Sequence, residues 1–126
     1  MAKTLYVRLY ADAKGESHFS DEEMELKSVN FVPPAPHVEI SAFTPAKHFA
    51  FLQAPPGWFG DWHPTPHRQF FFILRGEAEV RASDGDVRRF RPGSVLLVED
   101  TTGRGHTSRV TTDDPCIVAV VQLTES

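Results

Sequence analysis

The sequence is poor in several features that mark other classes of protein. Its single cysteine, Cys116, excludes an internal disulfide framework. No apolar run approaches the roughly 20 residues of a membrane-spanning helix, and the first residues lack the apolar core of a secretory signal. We therefore expect a cytoplasmic protein without a membrane partner.

Basic charge is also scarce, because 13 Lys and Arg stand against 17 Asp and Glu and give a net charge of −4. The densest basic group is Arg88, Arg89 and Arg91, and it is flanked by Asp84 and Asp86. Mixed charges beside a turn are typical of the solvated face of a hairpin. Nucleic-acid binding needs a continuous basic patch, so we expect no nucleic-acid partner.

The sequence does contain many short apolar runs that are separated by turn residues. The runs predict strands over residues 5–10, 24–27, 38–43, 48–52, 69–74, 78–81, 87–90, 95–98, 106–110 and 117–121. Short strands with turn signals every 8 to 12 residues or so, without helical periodicity, predict an all-β sandwich or barrel. The length is that of one domain. We expect a single domain over 1–126, with N-terminal strands in 1–54 and the core of the domain in 58–121.

Two prolines interrupt the most polar part of the chain. In a straight strand, His63 and Gln69 would lie about 20 Å apart at ~3.3 Å per residue, which is too far to share a ligand. Pro64 and Pro66 cannot both occupy a central strand, because each lacks the amide hydrogen that the sheet requires. The chain is therefore predicted to bend here and to bring His63 and Gln69 together.

This segment resembles the small single-domain cupins, whose first motif holds two histidines, a glutamate and a closing glycine. His63 stands at the first histidine position and Gly76 at the closing glycine. Thr65 replaces the second histidine, and Gln69 replaces the glutamate. His106 stands close to the position of the last histidine, in the second motif. The resemblance implies a cupin-type jelly-roll β-barrel or sandwich.

In the family these motif positions hold a divalent metal ion. The resemblance therefore implies that His63, Gln69 and His106 are ligands of an Fe, Mn, Ni, Cu or Zn ion, with His67 as a candidate extra ligand. Such an ion typically needs three or four protein ligands. Here two imidazoles and one neutral amide remain, so the sequence leaves open whether a metal is bound.

Aromatic and polar residues near the motif are candidates to surround a small-molecule pocket. The candidates are Trp62, Thr65, Phe51, Phe71, Asp100 and Trp58. Rings with a few polar groups are typical of small-molecule sites, but the same rings also form ordinary cores. Asp100 either orients the ring of His106, acts as a base or caps a turn, and the last is the commonest role of an acidic loop residue.

The sequence leaves three functions open. The first is a metal-dependent enzyme, similar to an oxygenase or an isomerase, that acts on a small organic molecule. The second is a non-catalytic binding or sensing module without a tightly bound metal. The third is a sugar epimerase, which in related barrels uses a histidine base and a tyrosine acid, and only Tyr6 and Tyr10 could supply that acid. Residues 70–72 are apolar on both faces of their strand and need cover, so we expect a homodimer.

Overall fold

The computed structural model describes residues 2–124, which form twelve β-strands and no helix. In chain order the strands are β1 (Lys3–Ala11), β2 (Ser17–Glu25), β3 (Lys27–Val29), β4 (Val38–Ile40), β5 (Ala46–Ala54), β6 (Phe59–His63), β7 (Gln69–Arg75), β8 (Ala78–Ala82), β9 (Val87–Phe90), β10 (Val95–Glu99), β11 (His106–Val110) and β12 (Cys116–Leu123). No membrane-spanning helix is found in this part of the chain. The predicted all-β class is confirmed.

The strands form a jelly-roll sandwich of two main sheets. The larger sheet has the order β2-β1-β10-β7-β12-β5, the smaller sheet has the order β6-β11-β8-β9, and β3 pairs with β4 in a separate hairpin. β1 runs parallel to β10. Since the two main sheets remain separate, the sandwich form of the predicted fold is confirmed, whereas the strands do not close into a barrel.

One hydrophobic core joins the facing sides of the two sheets. Leu9, Ile73 and Val118 from the larger sheet pack with Val80 and Phe90 from the smaller one. Alternate residues of each strand point to opposite faces, so one face of every central strand is apolar. The space between the sheets is therefore lined mainly by apolar side chains, and each polar side chain in it needs an explanation.

Strand β7 is apolar on both faces, as the sequence predicted. Phe71 packs against the core between the sheets. Phe70 lies in a second cluster on the outer face of the larger sheet, against Tyr6 and Phe72. Since this chain itself covers part of that outer face, β7 alone does not require a second copy. The homodimer stays a prediction.

The predicted bend before β7 is confirmed. β6 ends at His63, β7 begins at Gln69, and both prolines lie in the connection between them. The sequence did not predict β6 itself, because Gly60 and Asp61 interrupt its apolar pattern. The predicted strand over 38–43 is shorter than expected and ends at Ile40, because its only partner is the three-residue strand β3.

Candidate functional site

A cavity of about 260 Å³ lies between the two sheets. Most of its wall is aliphatic or aromatic, and Phe71 is one of the rings that line it. Polar side chains interrupt this wall at six positions, namely His63, Thr65, Gln69, His106, Ser108 and Arg109. The predicted fold-back therefore brings the two imidazoles and the amide to one cavity.

The two imidazoles face each other across a pair of antiparallel strands. His63 is the last residue of β6 and lies opposite His106, the first residue of β11. The ring centroids are 4.8 Å apart. Gly105 allows this approach, because it has a φ of +80° and a Cβ atom there would overlap the carbonyl oxygen of His63. A side chain at residue 105 would therefore separate the strands that bring the rings together.

Hydrogen bonds set the tautomers of both rings. His63 Nδ1 lies 2.6 Å from the carbonyl oxygen of Asp61, which can only accept, so Nδ1 carries the hydrogen. His106 Nδ1 lies 2.6 Å from Asp100 Oδ2 and donates to that carboxylate. A neutral imidazole with its hydrogen on Nδ1 has a free lone pair on Nε2. Within residues 2–124, neither Nε2 has a hydrogen-bond partner.

Asp100, a predicted pocket residue, lies behind His106 and not in the cavity wall. Its side chain is completely buried. Oδ2 binds His106, whereas Oδ1 has no hydrogen-bond partner among the described residues. The backbone is also held, because the amide of Thr65 donates to the Asp100 carbonyl over 3.0 Å. Asp100 is thus fixed where it orients the imidazole of His106, one of the three roles considered for it.

The amide of Gln69 belongs to a chain of buried hydrogen bonds. Gln69 Nε2 donates to Thr65 Oγ1 over 3.1 Å, and Thr65 Oγ1 donates to the carbonyl of His67 over 2.7 Å. Gln122 Nε2 approaches Gln69 Oε1 at 3.4 Å. Thr65 therefore orients Gln69, and His67 takes part through its backbone, since its side chain is not part of the cavity wall.

Two predicted pocket aromatics lie outside the cavity. Phe51 is 70% exposed, whereas its neighbour Leu52 lines the cavity. Phe51 points away from the cavity because Leu52, and not Phe51, pairs with the core residue Val118 in the sheet. Trp62 is also outside, and the guanidinium of Arg104 lies 3.9 Å from the centre of its ring.

The donors at the cavity do not match the ligand set that the family resemblance implies. Within residues 2–124, no group of three or more His, Cys, Asp or Glu side chains is placed to hold a metal ion. Two imidazoles and a neutral amide replace three imidazoles and a carboxylate, and the nearby Asp100 carboxylate already binds His106. These residues do not fit the metal of the family motif. Metal ligation by His63, Gln69 and His106 stays a prediction.

Sequence reasoning missed a buried serine that supports the site. Ser17 Oγ donates to the carbonyl of Gly105 over 2.7 Å and accepts from the amide of Ser83 over 2.7 Å. It thereby ties the β1–β2 hairpin to the residue before His106. No local pattern marks Ser17, because its partners are more than 60 residues away along the chain.

Cys116, as expected, is buried, and burial raises the pKa of its thiol.

His18 has partners that the sequence did not suggest. Its Nε2 lies 2.8 Å from Asp12 Oδ2, and its Nδ1 lies 2.9 Å from Asp84 Oδ2. The hydrogen bond to Asp12 raises the pKa of His18, and that to Asp84 adds to the effect. Each carboxylate accepts a hydrogen, so both bonds form only with the doubly protonated ring. His18 thus joins the β1–β2 hairpin to the β8–β9 turn.

Comparisons with known proteins agree with this architecture. The cupin domain profile matches residues 50–122, which is more than half of the chain. A search of curated protein sequences returned no match. The Cnp3 cupin domain of Schizosaccharomyces pombe is 14% identical, with 99% of this chain and 86% of that chain covered and a TM-score of 0.50.

Two bacterial structures are less similar in shape. A Cupin 2 conserved barrel domain protein from Salinispora arenicola is 18% identical, covers 80% of this chain and 76% of its own, and has a TM-score of 0.49. A predicted oxalate decarboxylase from Thermotoga maritima is 19% identical, covers 80% of this chain and 94% of its own, and has a TM-score of 0.42. Likeness at this level of identity concerns the fold and not the chemistry. Through the profile match over residues 50–122, the chain belongs to the cupin domain family.

Proposed function

We propose that the chain binds a small, mainly apolar organic molecule in its cavity, and that this molecule donates a hydrogen bond to the imidazole pair. The observation that carries the proposal is the fixed tautomer of both rings. Asp61 and Asp100 occupy the two Nδ1 hydrogens, which leaves two Nε2 acceptors without a partner at an apolar cavity. His106 is buried, whereas His63 lies exposed at the cavity opening. Because polar groups in a protein interior are normally hydrogen-bonded, a ligand that donates a hydrogen bond suits His106 in particular.

The volume of the cavity limits the size of the ligand. An apolar protein cavity of roughly 150 Å³ is large enough for benzene. The present cavity of about 260 Å³ therefore suits a molecule of about one substituted ring. Its apolar wall favours a hydrocarbon body, and its few polar groups favour a single hydroxyl or amine.

His106 could also take a proton from the bound group. The buried Asp100 carboxylate accepts from Nδ1 and would stabilise the imidazolium that forms when Nε2 gains a proton. In this reading His106 is a general base for an acidic hydrogen of the ligand. Binding without turnover, as in a sensing module, needs the same geometry, and an assay for turnover of each bound compound separates the two.

The sugar-epimerase hypothesis has no support from the placement of the tyrosines. Tyr6 packs on Phe70 in the outer cluster, and Tyr10 packs beside His18. Neither ring lines the cavity. A tyrosine acid is therefore out of place for a ligand held by His63 and His106.

A direct test compares two probes of nearly equal shape. 4-Methylphenol can donate a hydrogen bond, whereas 4-methylanisole cannot. We expect the phenol to bind about tenfold more tightly in calorimetry, which corresponds to about 1.4 kcal/mol and to one hydrogen bond. His106→Ala should remove the preference, and His37→Ala, at an exposed position between β3 and β4, should keep it. Equal affinities in the wild-type protein would disprove the proposal.

The metal-dependent enzyme is the second candidate. It is favoured by the carboxylate of Asp100 behind His106, because metal-binding histidines commonly carry such a partner on their other nitrogen. Elemental analysis of protein from metal-replete cells decides between the candidates. We expect far less than one metal ion per chain. One metal ion per chain that is lost in His63→Ala and His106→Ala would instead support the metal-dependent enzyme.

A further inference from the structure

The cavity reaches solvent along the gap between two edge strands. Its exposed wall residues are Leu52, Trp58, His63, Pro66 and Arg109. The first four come from β5, from β6 or from the connections at the ends of β6, and Arg109 comes from the neighbouring strand β11, where its guanidinium pairs with Glu79. β5 is an edge of the larger sheet, and β6 is an edge of the smaller sheet. The opening therefore runs along β6, with Trp58 at one end and the imidazole of His63 at the other.

The ring of Trp58 folds back over its own strand. A Cβ atom at Gly60 would lie 2.6 Å from the indole carbon Cη2 of Trp58, so the ring occupies space that the missing side chain leaves. The backbone beneath it is held, because Trp58 donates to the carbonyl of Pro55 over 3.0 Å and accepts from the amide of Val110 over 2.9 Å. The indole therefore forms part of the cavity wall at the opening, and the backbone that carries it is held by two hydrogen bonds.

The distance between the indole of Trp58 and the imidazoles is close to the length of the proposed ligand. Gly60 and His63 are three residues apart on β6, which is about 10 Å at ~3.3 Å per residue. A ring of benzene size with one hydroxyl fills most of that length. A molecule that donates to His63 or His106 therefore places its body against Trp58.

We propose that Trp58 is a specificity-determining residue whose indole face stacks on a flat, conjugated ligand body. This inference rests on the proposed function and narrows its ligand class to aromatic or conjugated molecules with one hydroxyl or amine. Stacking between aromatic rings adds to the effect of buried area. It favours a flat body over a saturated ring of the same size by about two- to tenfold.

The chain offers an internal control. Trp58 and Trp62 are its only tryptophans, and Trp62 lies outside the cavity beneath Arg104. Trp62→Phe leaves Trp58 as the single indole fluorophore, and Trp58→Phe leaves Trp62. We expect 4-methylphenol to change the fluorescence of the first variant with the affinity that calorimetry gives, and to leave the second nearly unchanged.

The decisive comparison uses 4-methylphenol and trans-4-methylcyclohexanol, which share the hydroxyl and differ in flatness. Trp58→Leu should weaken binding of the phenol by about two- to tenfold and leave that of the cyclohexanol nearly unchanged. Trp62→Leu should change neither affinity. Trp58→Phe retains a smaller ring and should give an intermediate loss. It also serves as the test if Trp58→Leu unfolds.

The outcomes separate this inference from the proposed function. If both probes weaken equally in Trp58→Leu, or neither does, Trp58 only closes the cavity and the stacking role is wrong. The proposed function survives that result as long as 4-methylphenol still binds more tightly than 4-methylanisole. If no probe binds the wild-type protein, the proposed function fails and the stacking role fails with it.

Discussion

Replacing Asp100 with asparagine tests the geometry of the site most directly. The side chain is completely buried, and its Oδ2 accepts a hydrogen bond of 2.6 Å from His106 Nδ1. Asn has the same size, so Asp100→Asn creates no cavity. The amide either offers its oxygen in a neutral hydrogen bond or turns its NH2 group towards His106. In the second case the hydrogen of the imidazole moves to Nε2.

The expected loss of stability follows from these bonds. A hydrogen bond to a charged group contributes about 1.5–3 kcal/mol and a neutral one about 0.5–1.5 kcal/mol. Exchanging the charged hydrogen bond for a neutral one therefore lowers the free energy of unfolding by about 1 kcal/mol. The amide hydrogens add about 1 kcal/mol, because Oδ1 lies where no partner among the described residues can accept them. The total of about 2 kcal/mol lowers the melting temperature by roughly 8 °C, at about 4 °C per kcal/mol for a domain of this size.

Two measurements check the prediction. Thermal unfolding should show the loss for Asp100→Asn and none for the matched control Asp113→Asn, which lies in an exposed loop. Nitrogen NMR of the histidine rings should show less of the Nδ1–H tautomer at His106, and the preference for 4-methylphenol over 4-methylanisole should fall. A variant with the melting temperature and ring tautomer of the wild-type protein would refute the role given to Asp100.

Three other predictions address the fold, a pH-dependent contact and the assembly. Gly105→Ala and Gly85→Ala both add a side chain at positive φ, but only at Gly105 does the new Cβ meet the His63 carbonyl. Urea unfolding should show a loss of about 1–2 kcal/mol for Gly85→Ala and a clearly larger one for Gly105→Ala, and equal losses contradict the close approach. Since the folded-state pKa of His18 is raised, its stabilising effect is complete below its unfolded pKa and is lost as pH rises through the folded value. The advantage of the wild-type protein over His18→Gln in melting temperature should therefore shrink from about pH 6 to pH 9, and a constant difference argues against the ion pairs. Phe51 is 70% exposed on the edge strand β5, so Phe51→Lys should convert the predicted homodimer to a monomer in light scattering, and a monomeric wild-type protein contradicts the dimer.

The strand pattern was largely predictable because it depends on local alternation. The β8–β9 hairpin follows from Asp84 and Gly85, and the bend before β7 follows from two prolines that cannot pair in a sheet. β6 was missed because Gly60 interrupts its pattern. A side chain there would meet the indole of Trp58, two residues earlier, and Ser108 of the neighbouring strand β11, and strand alternation marks neither contact.

The site was predictable only in part, because its geometry depends on contacts between distant segments. The family motif indicated His63, Gln69 and His106, and all three line the cavity. No pattern in the sequence gives the approach of Gly105 to β6 or the lack of a partner for Asp100 Oδ1. Leu52 and not Phe51 lines the cavity, and an apolar run such as 48–52 does not fix this choice, since a shift of one residue moves a side chain to the other face of its strand.

The pairing of β1 with β10 has a consequence for fragments of the protein. The cupin profile begins at residue 50, yet the fully buried Leu9 of β1 forms part of the core between the sheets. A fragment of residues 50–122 would expose the edge of β10 and lose the serine that holds Gly105. We therefore expect that the portion matched by the profile does not fold on its own, and that a graft or permutation of this scaffold has to carry the N-terminal hairpin with it.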